Sequence, residues 1–254
     1  MSDQAGDTPK MIRLGEGFHV RQAVDNIAWC DLGDGLVVVD ALEEGHLEEE
    51  VFAAIESTCP GRPVRYVLNT HTHYDHVALN EAFVRRFQAQ IVNQGTAPLP
   101  PQGRWFRGRL RKAHMMPSPG CHTSEDCVVF VEPDGVLFVG DIFGWGVIPL
   151  TVNFRAETLR LLEDTYRRLI GFGAATVVPG HGPLCTSAEL QRWLDYLHAL
   201  IDQVKALVRR GQDDADILQA VTPPDDMTGW WRFLKWKHAD SVAKVLRGVR
   251  NGWL

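Results

Sequence analysis

The 254-residue sequence has only five cysteines, Cys30, Cys59, Cys121, Cys127 and Cys185, and no closely spaced pair among them. An odd, scattered set argues against a disulfide framework and suits a reducing compartment. Long apolar runs are missing as well. The longest stretch free of Asp, Glu, Lys and Arg, from Leu169 to Ala188, is broken by glycines, prolines and His181, which makes it a poor membrane span. The polar, acidic opening, Met1 to Lys10, contains no basic segment followed by an apolar one, so a cytoplasmic protein is expected. Net positive charge is also lacking. A formal charge of −6 gives no general attraction for nucleic acid or an anionic membrane, which disfavours those partners and leaves a small-molecule substrate.

What is present is an ordinary globular composition, 45% hydrophobic and 23% charged, in a chain long enough to bury a sizeable core. Residues 1–10 read as a flexible tail. Phe18–Val20, Ile27–Cys30 and Leu36–Val39 read as a β-meander, with turn chemistry at Gly33, Asp34 and Gly35. His46–Thr58 has helical spacing and stops at Cys59-Pro60-Gly61. Val64–Leu68 is a predicted strand, Leu79–Phe87 a short helix and Ala89–Asn93 a further strand. Residues 94–120 show no clear periodicity and are expected to be a long loop of functional interest.

The second half repeats the plan of the first. Gly35-Leu-Val-Val-Val-Asp40, a helix and Tyr66-Val-Leu-Asn-Thr-His71 form one unit. Gly135-Val-Leu-Phe-Val-Gly-Asp141, a helix around Ala156–Ile170 and Ala175-Thr-Val-Val-Pro-Gly-His181 form the other, roughly 100 residues later. Two β-rich halves packed face to face, with helices outside and catalytic loops along one edge, are expected. From residue 186 to 254 the pattern turns helical. Leu190, Leu194, Leu197, Ile201, Val204 and Leu207 mark a long amphipathic helix, and Asp216–Val221 and Trp230–Val249 read as further helices. These helices form either a small cap or an oligomerisation surface, the latter a homodimer. The cluster of Trp230, Trp231, Trp236, Lys237 and His238 reads as a cover for the mouth of the active site or, more simply, as packing between helices.

The main chemical signal is His71-Thr-His73-Tyr-Asp75-His76, directly after a predicted strand. Residues i and i+2 of an extended segment project to the same side, so His71 and His73 can share one metal. Asp75 and His76 lie where the chain turns toward a helix and can reach a second. Imidazole with carboxylate suits zinc, and also iron or manganese. His122, Asp141 and His181 stand at three other predicted loops on the same edge.

H-x-H-x-D-H, then a single His, a Gly-Asp and a Gly-His, resembles the metallo-β-lactamase superfamily over roughly residues 11–185. The resemblance implies a four-layer αβ/βα sandwich, here with a C-terminal helical extension. It assigns His71, His73 and His122 to a first metal and Asp75, His76 and His181 to a second, with Asp141 bridging. Two departures stand out. Cys121 intervenes where Gly commonly precedes the third ligand, and Asp141 replaces the cysteine of the antibiotic-hydrolysing subclass. An aspartate there is more similar to glyoxalase II, lactonases and related hydrolases.

The expected activity is that of a dinuclear zinc hydrolase. A metal-bridging hydroxide would act on an ester, lactone, thioester or amide bond of a small molecule, a β-lactam included, and Asp75 would orient the water and shuttle its proton. A small-molecule phosphodiesterase and an iron-dependent oxidoreductase or dioxygenase on the same fold are the alternatives. Asp40 reads either as a hydrogen-bond acceptor for a ligand imidazole or as a turn residue. Trp145 reads either as an apolar wall of the substrate site or as a structural tryptophan. The basic run Arg104, Arg107, Arg109, Arg111 and Lys112 reads as an anion contact or a solvated loop.

Overall fold

In the computed structural model, residues 8–149 and 153–254 are described; most of the expected N-terminal tail lies outside them. Two sheets form the centre. The first has six strands in chain order: β1 (Lys10–Gly15), β2 (Phe18–Gln22), β3 (Ile27–Asp31), β4 (Leu36–Val39), β5 (Val64–Leu68) and β6 (Gln90–Val92). The first four run antiparallel, while β4, β5 and β6 are parallel to one another. Helices α1 (Glu48–Thr58) and α2 (Asn80–Phe87) make the parallel crossovers. All four residues of β4 are buried, which accounts for its unbroken Leu-Val-Val-Val: a strand covered on both faces has no polar side to alternate with.

The second sheet has five strands: β7 (Arg104–Arg107), β8 (Lys112–Pro117), β9 (Cys127–Glu132), β10 (Val136–Gly140) and β11 (Thr176–Pro179), in the order β11-β10-β9-β8-β7. Only β10 and β11 are parallel, joined through α3 (Ala156–Gly171). Between the sheets lies a core that includes Phe18, Val37, Leu68, Phe106, Val129 and Phe138. Trp29, Phe52, Ile55 and Phe83 fill the space between the first sheet and its two helices. A third core lies outside the second sheet, under α3, α4 (Ser187–Arg209) and α6 (His238–Arg250). Tyr166 of α3 stacks on Trp193 of α4 at 4.2 Å and donates to the Ile142 carbonyl. The order helix, sheet, sheet, helix is the expected four-layer sandwich.

Three local expectations are corrected. Lys10 is not tail: it pairs with Gln22 as the first residue of β1. Residues 94–120 are not one loop, because β7 and β8 form a hairpin that pairs in register with β9. The hairpin escapes pattern reading because β7 is an edge strand with only Phe106 buried. Finally, α6 does not start at Trp230. Arg232 takes a left-handed φ of 53°, and Phe233–Lys237 form a π-helical turn before α6 begins. Thr186 and Glu189 cap the start of α4 reciprocally. No helix among the described residues is long and apolar enough to cross a membrane.

Candidate metal centre

Strand ends deliver the site. Asp40 follows β4, His71 to His76 follow β5, Asp141 follows β10 and His181 follows β11, while His122 sits in the turn before β9. Because β4 and β5 are parallel, as are β10 and β11, their carboxyl ends open on one edge, where parallel crossovers leave room for ligands.

All seven sequence-predicted ligands meet there, in two groups. His71, His73 and His122 form one; Asp75, His76, Asp141 and His181 form the other, and within each group the donor atoms lie within 4.8 Å of one another. Asp141 reaches both. Its Oδ2 is 3.5 Å from His122 Nε2, 3.9 Å from His71 Nε2 and 3.3 Å from His181 Nε2, and its Oδ1 is 3.4 Å from His76 Nε2. Asp75 stands 3.3 Å from His181 Nε2 and 3.9 Å from His76 Nε2. Two glycines permit this crowding. Gly140 has a φ of 52°, and a Cβ on it would stand 2.7 Å from Thr70 Cβ; a Cβ on Gly180 would overlap Asp141 Oδ1 and stand 2.7 Å from His76 Cε1.

Partners outside the cluster set the imidazole orientations. His122 Nδ1 is 2.7 Å from the Pro149 carbonyl and His181 Nδ1 is 2.9 Å from Asp25 Oδ1. His76 Nδ1 is 3.1 Å from Asp40 Oδ2. The Pro149 carbonyl and the Asp25 carboxylate can only accept, so Nδ1 of His122 and of His181 carries a proton and, with a metal bound, their Nε2 atoms are the ones left to ligate. Asp40 also receives Thr70 N at 2.7 Å and Thr70 Oγ1 at 2.9 Å, which fixes the backbone just before His71. Asp40 thus stands beside a candidate ligand imidazole at ion-pair distance, while its hydrogen bonds come from Thr70.

The residues fit a divalent metal pair. His71 Nε2, Asp75 Oδ1, His76 Nε2 and Asp141 Oδ1 are buried and make no hydrogen bond, a costly arrangement for four polar atoms pointing at common centres. His73 Nδ1 and His122 Nε2 face each other at 3.0 Å, where two lone pairs need a proton or cation between them. Electrostatics agrees. Burial works against a charged His76, yet Asp40 and Asp141 push it up to about 10. Burial likewise opposes charge on His181, which hydrogen bonds to Asp141, Asp25 and Asp75 push up to about 12. Against burial, the adjacent His181 and His76 imidazoles hold Asp141 well below the usual carboxylate range. Burial, then His76, pushes His71 down to about 2. The carboxylates thus hold a strong demand for positive charge, while His71 offers a neutral donor.

The site opens into a cleft of about 680 Å³, and its outer wall comes from the C-terminal segment: Trp231, Arg232, Trp236, Lys237, Asp240 and Lys244. The ligand motif gives no hint of these residues, and Asp25 is equally silent until an isolated bridge pairs it with His181. Trp145 is not a cleft wall: at 8% exposure it turns away with a φ of 54°, donates to the Pro183 carbonyl and packs on Phe143 and Trp230. Its neighbours Gly144 and Val147 line the cleft instead. The basic run lies elsewhere. Arg109, Arg111 and Lys112 border a separate groove with Glu132 and Gly135, and Arg111 is paired with Asp134 at 2.7 Å. His238 is buried, between the Tyr196 hydroxyl and the Val221 carbonyl.

Comparison with known proteins agrees with the geometry. Residues 26–115 match the family model described as the metallo-beta-lactamase superfamily. No curated protein matches the chain. Among solved structures, a metallo-beta-lactamase from Pontibacter korlensis is similar at 19% identity and a TM-score of 0.59, over 74% of this chain and 98% of that one. A metallo-beta-lactamase superfamily protein from Sulfolobus tokodaii is similar at 14% identity and a TM-score of 0.56, over 93% and 99%. The stereoselective inverting sec-alkylsulfatase of a Pseudomonas species is similar at 13% identity and a TM-score of 0.70, over 94% of this chain and 50% of that one. The chain therefore spans half the length of the sulfatase. At these identities the likeness is one of fold.

Proposed function

We propose that the chain, whose residues 26–115 match the metallo-beta-lactamase superfamily model and whose fold is similar to solved members, is a dinuclear, zinc-dependent hydrolase of a small molecule. The observation that carries this reading is Asp141, one carboxylate within reach of both groups of donors. His71, His73 and His122 would hold one metal, Asp75, His76 and His181 the other, and Asp141 would bridge them. A bound pair supplies Lewis acidity and a water acidic enough to lose its proton near neutral pH. Five imidazoles and two carboxylates form a donor set suited to zinc.

The chain's own residues then divide the work. Asp75 lines the cleft with one oxygen against His181, placed to take a proton from the attacking water and return it to the leaving group. Asp25 and the Pro149 carbonyl keep His181 and His122 in the ligating tautomer, and Asp40 stands beside His76. The cysteines are poor nucleophiles: burial pushes Cys121 up to about 11 and Cys127 up to about 12. All five are buried and free, which supports a cytoplasmic location in our reading.

The bond class is expected to be an ester, lactone, thioester or amide, on the analogy of bridging-aspartate hydrolases. The test is a hydrolysis panel on metal-loaded protein with Asp75→Ala as control: aryl esters, lactones, a glutathione thioester, a chromogenic β-lactam, an alkyl sulfate and a phosphodiester. Selective turnover of one class, lost in the variant, supports the proposal. Absence of turnover above the variant, with iron as the metal bound on purification, would replace it with oxidative chemistry.

A further inference from the structure

The cleft wall opposite the carboxylates contains a cation that the hydrolytic machinery does not use. After Arg232, with its left-handed backbone, the π-helical turn Phe233–Lys237 folds the chain back over the metal edge. Wide turns of this kind concentrate at functional sites. Here the turn places Lys237 in the cleft wall alongside Asp75, Asp141 and His181. The Lys237 residue is 2% exposed. Its Nζ donates to the Gly144 carbonyl at 2.7 Å and lies 4.2 Å from the Trp231 ring centre and 5.9 Å from that of Trp236.

A buried ammonium ordinarily has an anionic partner. Among the described residues Lys237 has no ion pair; Lys244, about two turns further on, has one with Asp240 at 2.8 Å. One carbonyl and two ring faces leave donor capacity on a group with three N–H bonds. Burial, and then Arg232, pushes Lys237 down to about 7, with Asp141 opposing. An arriving anion would hold the proton on Nζ. Beside it, Trp231 lines the cleft and Trp236 is 47% exposed, so an apolar surface runs from the buried cation out to solvent.

We propose, on the basis of the hydrolase reading, that the substrate is a small anionic amphiphile. Its carboxylate- or sulfonate-like group docks on Lys237 Nζ, its apolar body lies along Trp231 and Trp236, and its scissile bond faces Asp75 and Asp141. Lys237 is then a specificity residue, and the C-terminal segment decides which ester is accepted.

The test compares two esters with one leaving group on the zinc-loaded full chain: 4-nitrophenyl hexanoate and the mono-4-nitrophenyl ester of adipic acid. They differ in a terminal carboxylate. Wild type should favour the adipate by about tenfold or more in kcat/KM, and Lys237→Met should raise KM for the adipate about tenfold more than for the hexanoate, with Lys237→Arg restoring most of the preference. Hexane-1-sulfonate, a weak metal ligand, supplies a readout independent of turnover: calorimetry should show it binding wild type and not Lys237→Met, at equal zinc content. Trp236→Ala, at an exposed ring, should weaken the same binding without disturbing the fold. Equal kcat/KM for the two esters in wild type, or equal losses on both in Lys237→Met, would overturn the proposal and leave Lys237 as a strut to Gly144. If neither ester is hydrolysed, the hydrolase reading fails on its own. Sulfonate binding then decides the anion site: binding that depends on Lys237 upholds it, and no binding overturns it.

Discussion

The two halves of the sandwich follow one plan and put their aspartates to different uses. In the first half β4 runs Leu-Val-Val-Val into Asp40; in the second β10 runs Val-Leu-Phe-Val-Gly into Asp141, one residue longer. Side chains alternate faces along a strand, so a one-residue offset redirects the carboxylate. Asp40, itself left-handed at a φ of 59°, lies behind the ligands, receives Thr70 and stands beside His76. Asp141, carried past a left-handed Gly140, enters the space between the two groups of imidazoles. One inserted glycine thus separates a carboxylate that aims ligands from one that is placed to be a ligand to two metals.

That contrast can be broken most sharply at the bridge. Asp141→Asn should lower activity by about 10⁴-fold and remove at least one metal from each chain, as metal analysis and steady-state kinetics would show. Gly180→Ala should come close to the same result without changing any ligand, because its methyl group occupies the position of Asp141 Oδ1. Asp75→Asn should cost about 10²- to 10⁴-fold in kcat while much of the metal remains. Asp40→Asn should be milder: an amide NH₂ facing His76 Nδ1 disturbs the tautomer and costs about 10- to 100-fold in metal affinity, measured by competition with a chromophoric chelator. A loss on Asp40→Asn as large as that on Asp141→Asn would erase the distinction between the halves.

The smallest effect concerns stability. Lys237 has a folded-state value near 7 against an ordinary 10.5, so its charge disfavours folding fully below pH 7, and the penalty fades as pH rises toward 10.5. Lys237→Met should therefore raise Tm by a few degrees. The gap to wild type should be widest below neutral pH and should narrow in alkali, as thermal melts across pH would show. A lower Tm for the variant at every pH would mark the lysine as structural.

All seven proposed ligands were legible because six follow a strand whose apolar run is easy to see and His122 shortly precedes one, and so was the duplicated plan behind the four layers. The wall of the cleft was legible only as the less simple of two readings of the C-terminal aromatic cluster. Trp231, Trp236 and Lys237 owe their positions to a π-helical turn for which the sequence carries no period, and a continuous helix from Trp230 was the simpler expectation. Asp25 meets His181 through a contact 156 residues apart in the chain, which no local pattern records. Of the two readings of Trp145 the structural one holds, since closeness to Asp141 in sequence says nothing of direction: its left-handed backbone sends the indole into the core. The β7–β8 hairpin stayed hidden because its outward-facing arginines and lysine mask the alternation that Phe106, Ala113 and Met115 keep on the inside.

The central claim is a two-metal centre that depends on Asp141, and zinc stoichiometry by elemental analysis at saturating metal tests it most directly. Wild type and Asp40→Asn should each hold two zinc ions per chain at saturation, and Asp141→Asn one or none. Two ions retained by Asp141→Asn, or a single ion in wild type, would contradict the account.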